Sequence, residues 1–219
     1  MKIACITHRK WAIDIYEKIV KTYKGKHDFL VWKNKDDFSS EKLKKYNPDL
    51  ILWYGWSWIV EKDFVRNYES IMLHPSPLPK YRGGSPIQNQ IINGEKFSAV
   101  TLFKMNEGID KGDIYQQLSM SLEGTLEEIF NRMIVLGYSA TCNIIDNNYK
   151  SYSQDDSNSS FFNRRTENQS EITLDELKNK PAEYLYNKIR MLADPYPNSF
   201  IKTVDGKKLV IKIAEIEDI

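Results

Sequence analysis

With 219 residues, the chain has the length of one domain with at most a small appendage, enough to bury roughly 70% of the surface its unfolded form exposes. Its 41% hydrophobic and 28% charged residues exclude a collagen-like, coiled-coil or wholly disordered chain. Lys and Arg total 31 against 30 Asp and Glu, and a net charge of +1 supplies no global field for a polyphosphate backbone, which argues against nucleic acid as a partner.

Lys2 to Thr7 is a compact apolar run, followed from Trp11 by Ala12, Ile15, Tyr16, Ile19, Val20 and Tyr23 at helical spacing, which predicts a strand and then an amphipathic helix. That first run is too short for a signal-peptide core, and no stretch approaches the roughly 20 apolar residues that span a bilayer, so a cytoplasmic protein without membrane contact is expected. Cys5 and Cys142 match no zinc spacing, and no metal site is expected; Cys5 lies in the apolar run, where cysteine behaves as a small hydrophobe. Phe29 to Trp32, Leu50 to Tyr54 and Ile71 to Leu73 are further short apolar runs separated by polar stretches, an alternation that predicts a parallel sheet covered by helices. Ser98 to Lys104 and Ile114 to Met120 alternate like strands. The capping box Thr125 to Glu128 then opens a long helix with Leu126, Ile129, Phe130, Met133 and Gly137 on one face.

The composition turns polar between Asp146 and Ser170, which divides the chain into residues 1–150, a polar and partly mobile connector at 151–170, and a small C-terminal subdomain at 171–219. In that subdomain a second capping box, Thr173 to Glu176, and a helix over Pro181 to Leu192 precede a hairpin at Asp205-Gly206. The run Leu209 to Ile213 offers an apolar face to either a second subunit, giving a homodimer, or its own domain.

Two clusters carry candidate chemistry. Leu73 to Pro86, LHPSPLPKYRGGSP, begins where an apolar strand ends, and open α/β sheets place their ligand sites at that end of a parallel strand. Its prolines fix the backbone, and Gly83-Gly84 let it pass close to another group. His74 has the intrinsic pKa for acid-base work, and a surface imidazole on a structural turn fits the same residues. Arg82 can meet a phosphate or carboxylate, or bond to loop carbonyls. In the second cluster, Asn106 to Gln117, Gly108 and Gly112 bracket Asp110, so its carboxylate projects from a turn. Folded back toward His74, Asp110 would hold the imidazole in one tautomer and stabilise its cation; alone, it equally suits local turn bonding.

The order and spacing of these clusters resemble the formyltransferases that use 10-formyltetrahydrofolate. HPSPLPKYRGGSPIQ is similar to their HPSLLPxYRGxxPI signature, and GIDKGDIYQQ to GxDxGDIxxQ. Ile189-Arg190 and DPYPNSF, Asp194 to Phe200, resemble the RALxxPYPGAF segment of longer members. The resemblance implies a Rossmann-like α/β fold with a small helix and β-hairpin appendage, and catalytic roles for His74 and Asp110. It further implies a pterin site around Trp56, Trp58, Ile59 and Val60, where two tryptophans after a buried strand also suit a flat aromatic ligand. Ser76 and Arg82 are the candidate acceptor-binding residues of the signature loop. The family has an Asn two residues before the His as oxyanion donor; here that position is Met72, whose thioether cannot donate.

For the acceptor, the ribonucleotide enzymes of the family have a Gly-Ser-rich phosphate loop after the first strand. Here the stretch is THRKWAI, without glycine, although His8, Arg9 and Lys10 could meet a phosphate. The tRNA enzymes add a C-terminal barrel, for which the residues after Ser170 are too few. The expectation is therefore a nucleotide-linked amino sugar. Methionyl-tRNA or glycinamide ribonucleotide is the alternative acceptor, and a folate-binding protein with catalysis impaired at Met72 is the alternative class. Arg164, Arg165 and Glu171 resemble the stretch after the connector in sugar enzymes, without an assigned role.

Overall fold

The computed structural model describes residues 1–194 and 196–218, so position 195 of the DPYPNSF segment lies outside the described residues. Along the chain, β1 (Lys2–Ile6), α1 (Lys10–Thr22), β2 (Asp28–Trp32), α2 (Ser40–Tyr46), β3 (Leu50–Leu52), α3 (Lys62–Asn67) and β4 (Ser70–His74) alternate strictly. Next come β5 (Arg82–Gly83), α4 (Pro86–Ile92), β6 (Phe97–Lys104), β7 (Ile114–Ser121) and α5 (Leu126–Ile145). The remainder holds β8 (Phe161–Phe162), α6 (Leu174–Asn179), α7 (Ala182–Arg190), β9 (Ser199–Lys202) and β10 (Lys208–Ile211).

The six-stranded sheet has the order β2-β1-β3-β4-β6-β7, parallel as far as β4 and antiparallel from β4 through β6 to β7. The expected Rossmann-like α/β architecture with a mostly parallel sheet is therefore present. Its inner strands read as continuous apolar runs because both faces are covered. Ile3, Cys5, Leu52, Ile71 and Leu73 pack with α1 and α5 on one face, while Ala4, Ile6, Ile51 and Trp53 pack with Leu43 and Phe64 of α2 and α3 on the other. Each fully buried aliphatic, such as Ile15 at 0% exposure, contributes about 1.5–3 kcal/mol of apolar burial.

Two features of this core position the cleft. The Tyr16 hydroxyl donates to the Leu52 carbonyl at 2.7 Å and accepts the Tyr54 N–H at 2.9 Å, which pins the chain where it leaves β3. Thr125 accepts the Glu128 N–H at 3.2 Å while the Glu128 carboxylate accepts the Thr125 N–H at 2.8 Å, the reciprocal cap expected for α5.

Residues 151–170, expected from their composition to be a polar and partly mobile connector, are tied to the sheet. Tyr152 and Ile114 exchange backbone hydrogen bonds at 2.8 and 3.0 Å, and β8 pairs in parallel with β5. The glycines of the signature loop account for that pairing: a Cβ on Gly84 would lie 2.4 Å from both N and Cα of Arg164. Gly83-Gly84 thus admit a second strand of the same chain.

The C-terminal helices and hairpin dock through Met191 and Leu192, which join the main core. The Arg190 guanidinium donates to the carbonyls of Leu122 and Gly124 at 2.7 and 2.9 Å. On the hairpin, Leu209 and Val210 are exposed. Among the described residues, no helix is long and apolar enough to cross a membrane.

Since backbone cannot yield as a flexible side chain can, Gly84→Ala should lower stability by about 1–3 kcal/mol. It should also accelerate hydrogen exchange across Phe161 to Arg165. Unchanged unfolding midpoint and exchange in the variant would refute this account of the loop.

Candidate functional site

β4 delivers His74 to the carboxyl end of the parallel strands, where the chain turns sharply through the proline-rich loop. The ring is buried at 5% exposure, and its Nε2 lies 2.7 Å from the Tyr81 carbonyl, so that nitrogen carries the hydrogen and donates it. Asp110 arrives from the turn between β6 and β7. Its Oδ2 accepts the Gly83 N–H at 2.8 Å and stands 3.6 Å from Nδ1 of His74. The imidazole and carboxylate from distant stretches therefore converge. The tautomer, expected to be held by Asp110, is instead held by the Tyr81 carbonyl, and Asp110 faces the other nitrogen across a gap longer than a hydrogen bond.

The backbone on both sides of this pair is left-handed, and on the loop that carries Tyr81 and Ser85 it is strained. Tyr81, Ser85 and Asp110 have φ of 59°, 49° and 54°, left-handed values that side chains other than Asn and Asp rarely adopt. Arg82 and Gln154 brace the Asp110 turn: its carbonyl accepts Nε of Arg82 at 3.0 Å and Nε2 of Gln154 at 2.9 Å. Gly112 is needed because a Cβ there would lie 1.5 Å from the Lys104 carbonyl oxygen.

These groups form one side of an open cleft of about 640 Å³, within the range of small-molecule sites. Trp56, Trp58, Ile59 and Val60, the residues singled out for a pterin, all line it. Trp58 is 39% exposed, beneath the Lys35 ammonium at 4.8 Å from the ring centre, and Ile59 is 99% exposed at the rim. Met72 lines the cleft as well, packed with Leu78, Phe103 and Ile114.

Two expected acceptor contacts are not brought to the cleft. Ser76 is fully buried and donates to the Lys80 carbonyl at 2.8 Å, closing the loop on itself. Arg82, 3% exposed, is spent on the Asp110 carbonyl, on Gln154 at 2.6 Å and on Asp156 at 2.6 Å. A hydroxyl and a guanidinium in a polar loop bind a ligand or brace the loop with the same chemistry, and here bracing satisfies both. Conversely, Gln88, Trp11, Phe130 and Tyr196 line the cleft without having been singled out for it. Phe130 was legible only as part of a helix face, and it packs partly buried against the core where it meets the cleft.

Arg9, Arg164 and Arg165 also line the cleft. His8 precedes Arg9 in the chain, with Nε2 2.8 Å from the Ser57 hydroxyl and its ring 4.7 Å from that of Trp58. Burial, and then the charges of Arg9 and Arg164, hold its pKa below the ordinary histidine value. Among the described residues, no group of three or more His, Cys, Asp or Glu side chains could hold a metal ion.

The family profile described as formyl transferase matches residues 7–144. Methionyl-tRNA formyltransferase of Ehrlichia ruminantium (strain Gardel) is 31% identical over 177 residues, covering 78% of this chain and 55% of that protein. The first four matching curated relatives are all methionyl-tRNA formyltransferases, and the chain spans 55% to 61% of their lengths. Among solved structures, a methionyl-tRNA formyltransferase from Clostridium thermocellum is 32% identical with a TM-score of 0.85, over 96% of this chain and 97% of that one. A sugar N-formyltransferase from Shewanella sp. FDAARGOS_354 shares the fold at 18% identity, with a TM-score of 0.79 over 100% and 99% of the two chains.

His8 should titrate below its ordinary 6.5 in a two-dimensional NMR experiment, and Arg9→Gln should raise that value without restoring it, because burial remains. With the folded value below the unfolded one, the unfolded chain binds this proton more readily. The contribution of His8 is therefore neutral above the unfolded value and destabilising as pH falls through and below it. An Arg9→Gln spectrum identical to the parent would separate His8 from the guanidinium.

Proposed function

The chain belongs to the formyl transferase family, and from that premise we propose that it moves the formyl group of 10-formyltetrahydrofolate to the primary amine of a nucleotide-linked amino sugar. The observation that carries the transfer chemistry is the facing of His74 Nδ1 by the Asp110 carboxylate at 3.6 Å beside the cleft.

The pterin lies against Trp56 and Trp58, where stacking adds about 0.5–1.5 kcal/mol beyond area burial. The neutral acceptor amine attacks the formyl carbon, forming the N–C bond and placing a negative charge on the formyl oxygen. Because Nε2 keeps its hydrogen on the Tyr81 carbonyl, the lone pair at Nδ1 takes the proton that the amine loses. The resulting imidazolium faces Asp110, whose charge offsets it in a buried setting. Collapse breaks the bond between the formyl carbon and N10 of the folate, N10 takes up the proton that His74 gives back, and the formamide and tetrahydrofolate leave with the imidazole neutral again.

Met72 gives the oxyanion no donor. Asn106 is one substitute in kind: it lines the cleft, and its Oδ1 is engaged by the Gly108 N–H at 2.9 Å, leaving its amide hydrogens for a ligand. The imidazolium of His74 is a second donor once charged.

The cleft volume of about 640 Å³ and the net charge of +1 favour a small acceptor over a large polyanion. Methionyl-tRNA is the second reading, favoured by identities of 31% and 32% to enzymes named for that substrate.

Transfer of labelled formyl to a panel of nucleotide-linked amino sugars, methionyl-tRNA and glycinamide ribonucleotide tests the assignment, with the sugars expected to react. Tetrahydrofolate binding without transfer to any amine would instead mark a non-catalytic folate-binding protein. His74→Ala should lower kcat/KM by about a hundredfold to ten-thousandfold, the usual worth of a positioned base. Met72→Asn should change kcat by no more than a few-fold. A rise of about a hundredfold, the typical worth of one oxyanion donor, would show that Asn106 and His74 do not supply it.

A further inference from the structure

Two guanidinium groups on the cleft wall have no carboxylate to answer them. The cations lining the cleft are Arg9, Lys62, Arg164 and Arg165, and its carboxylates are Glu107 and Asp110. Glu107 is taken by Arg66 at 2.5 Å and Lys62 at 3.3 Å, while Asp110 accepts the Gly83 N–H and faces His74. Arg165 donates to the Gln169 carbonyl at 2.9 Å. That leaves Arg9 and Arg164, neither of which forms an ion pair among the described residues.

Both are placed by close packing. The stem of Arg9 passes so near Gly55 that a Cβ there would lie 2.8 Å from Cγ, and its guanidinium stands over the Tyr196 ring at 5.9 Å. Gly84 admits the backbone of Arg164 and so carries that side chain to the cleft. Arg9 and Arg164 thus come from distant stretches of the chain to line the same cleft, and the charge of each helps to lower the pKa of His8.

An independent observation in the same cleft points to a ligand. Gln88 is 4% exposed and lines the cleft, yet its side-chain nitrogen has no hydrogen-bond partner among the described residues. A buried amide donor left unpaired is costly and is retained where another molecule supplies the acceptor.

Resting on the acceptor proposed above, we infer that Arg9 and Arg164 form an anion subsite for the phosphoryl groups of that acceptor, with Gln88 contacting the same molecule. Two guanidiniums supply a charge that matches a diphosphate, and their paired N–H groups fit its oxygens. The carboxylates of a folate glutamate tail have related chemistry, so the test must separate the two sources.

Calorimetric titration of the full chain with uridine diphosphate, inorganic pyrophosphate and 5-formyltetrahydrofolate does so, on the parent, Arg9→Ala, Arg164→Ala and Arg164→Lys. Both phosphate probes should bind the parent and raise the NMR titration point of His8. Each Ala variant should weaken both phosphate probes by about tenfold or more, as expected for loss of a charge-assisted contact, with Arg164→Lys intermediate and folate binding within about twofold. Circular dichroism melts matching the parent make the comparison valid; Arg164→Gln and Arg9→Gln, which keep part of the stem, replace any Ala variant that melts early.

Loss of folate affinity with phosphate binding intact would assign the arginines to the glutamate tail and overturn the subsite, as would unchanged affinity for every probe. Phosphate binding is read without turnover. Diphosphate binding with no formyl transfer would therefore overturn the proposed reaction alone, and transfer with no effect of the arginines would overturn the subsite alone.

Discussion

The site depends on one constraint, the left-handed turn that aims the Asp110 carboxylate at His74. At φ of 54° the residue is among the few side-chain-bearing positions with that backbone, and Tyr81 and Ser85, on the facing loop, are two of the others. At Tyr81 and Ser85 strain of this kind costs about 1–3 kcal/mol per residue and persists only where the surroundings over-determine it, whereas Asp tolerates the region more readily. Asn47 and Asn147 adopt the same region just after α2 and α5, where an Asn is a common helix terminator. The strain without such a local explanation is gathered where Tyr81 holds one nitrogen of the imidazole and Asp110 faces the other.

What over-determines the turn is a buried guanidinium. Arg82 is out of water at 3% exposure, and an unpaired charge there would be severely destabilising. Its acceptors come from two places, the carbonyl of Asp110 and the side chains of Gln154 and Asp156. The polar composition of residues 151–170 then has a structural cause. These residues supply the acceptors that a charged, proline-rich loop cannot provide for itself, and Gly84 lets their backbone come close enough to do so. The residues that dock the segment also bring Arg164 to the cleft, so loop rigidity and cleft charge come from one contact.

The parallel sheet, its two covered faces and the capped α5 were legible because each is written in a local period or a four-residue signature. The pair His74 and Asp110 was legible through two motifs whose order mattered more than any single residue. The tautomer was not, since the carbonyl that sets it belongs to Tyr81 and presents no side-chain signal. Ser76 and Arg82 read as ligand contacts because a donor's partner is invisible in sequence. For Arg82 that partner lies 72 residues away, on a stretch whose composition suggests mobility. The same separation hid the use of Gly83-Gly84: two glycines announce a close approach but not by what.

Met72 brings these strands of the argument together. Strand alternation puts it on the same face of β4 as His74, while Ile71 and Leu73 point into the core shared with α1 and α5. With Leu78, Phe103 and Ile114 it makes an apolar floor beside the imidazole. A thioether there removes a hydrogen-bond donor, but it also keeps water and competing dipoles from that side of the ring. In such surroundings the attraction between an imidazolium and a carboxylate 3.6 Å away is screened less than it would be in water. In the proposed reaction Met72 therefore acts in two directions, withdrawing direct support from a developing oxyanion while strengthening the charge pair formed when His74 takes a proton. The proposed transfer then leans more on the coupling of His74 to Asp110 than it would with an amide at position 72, and the facing of the two groups is what the left-handed turn maintains.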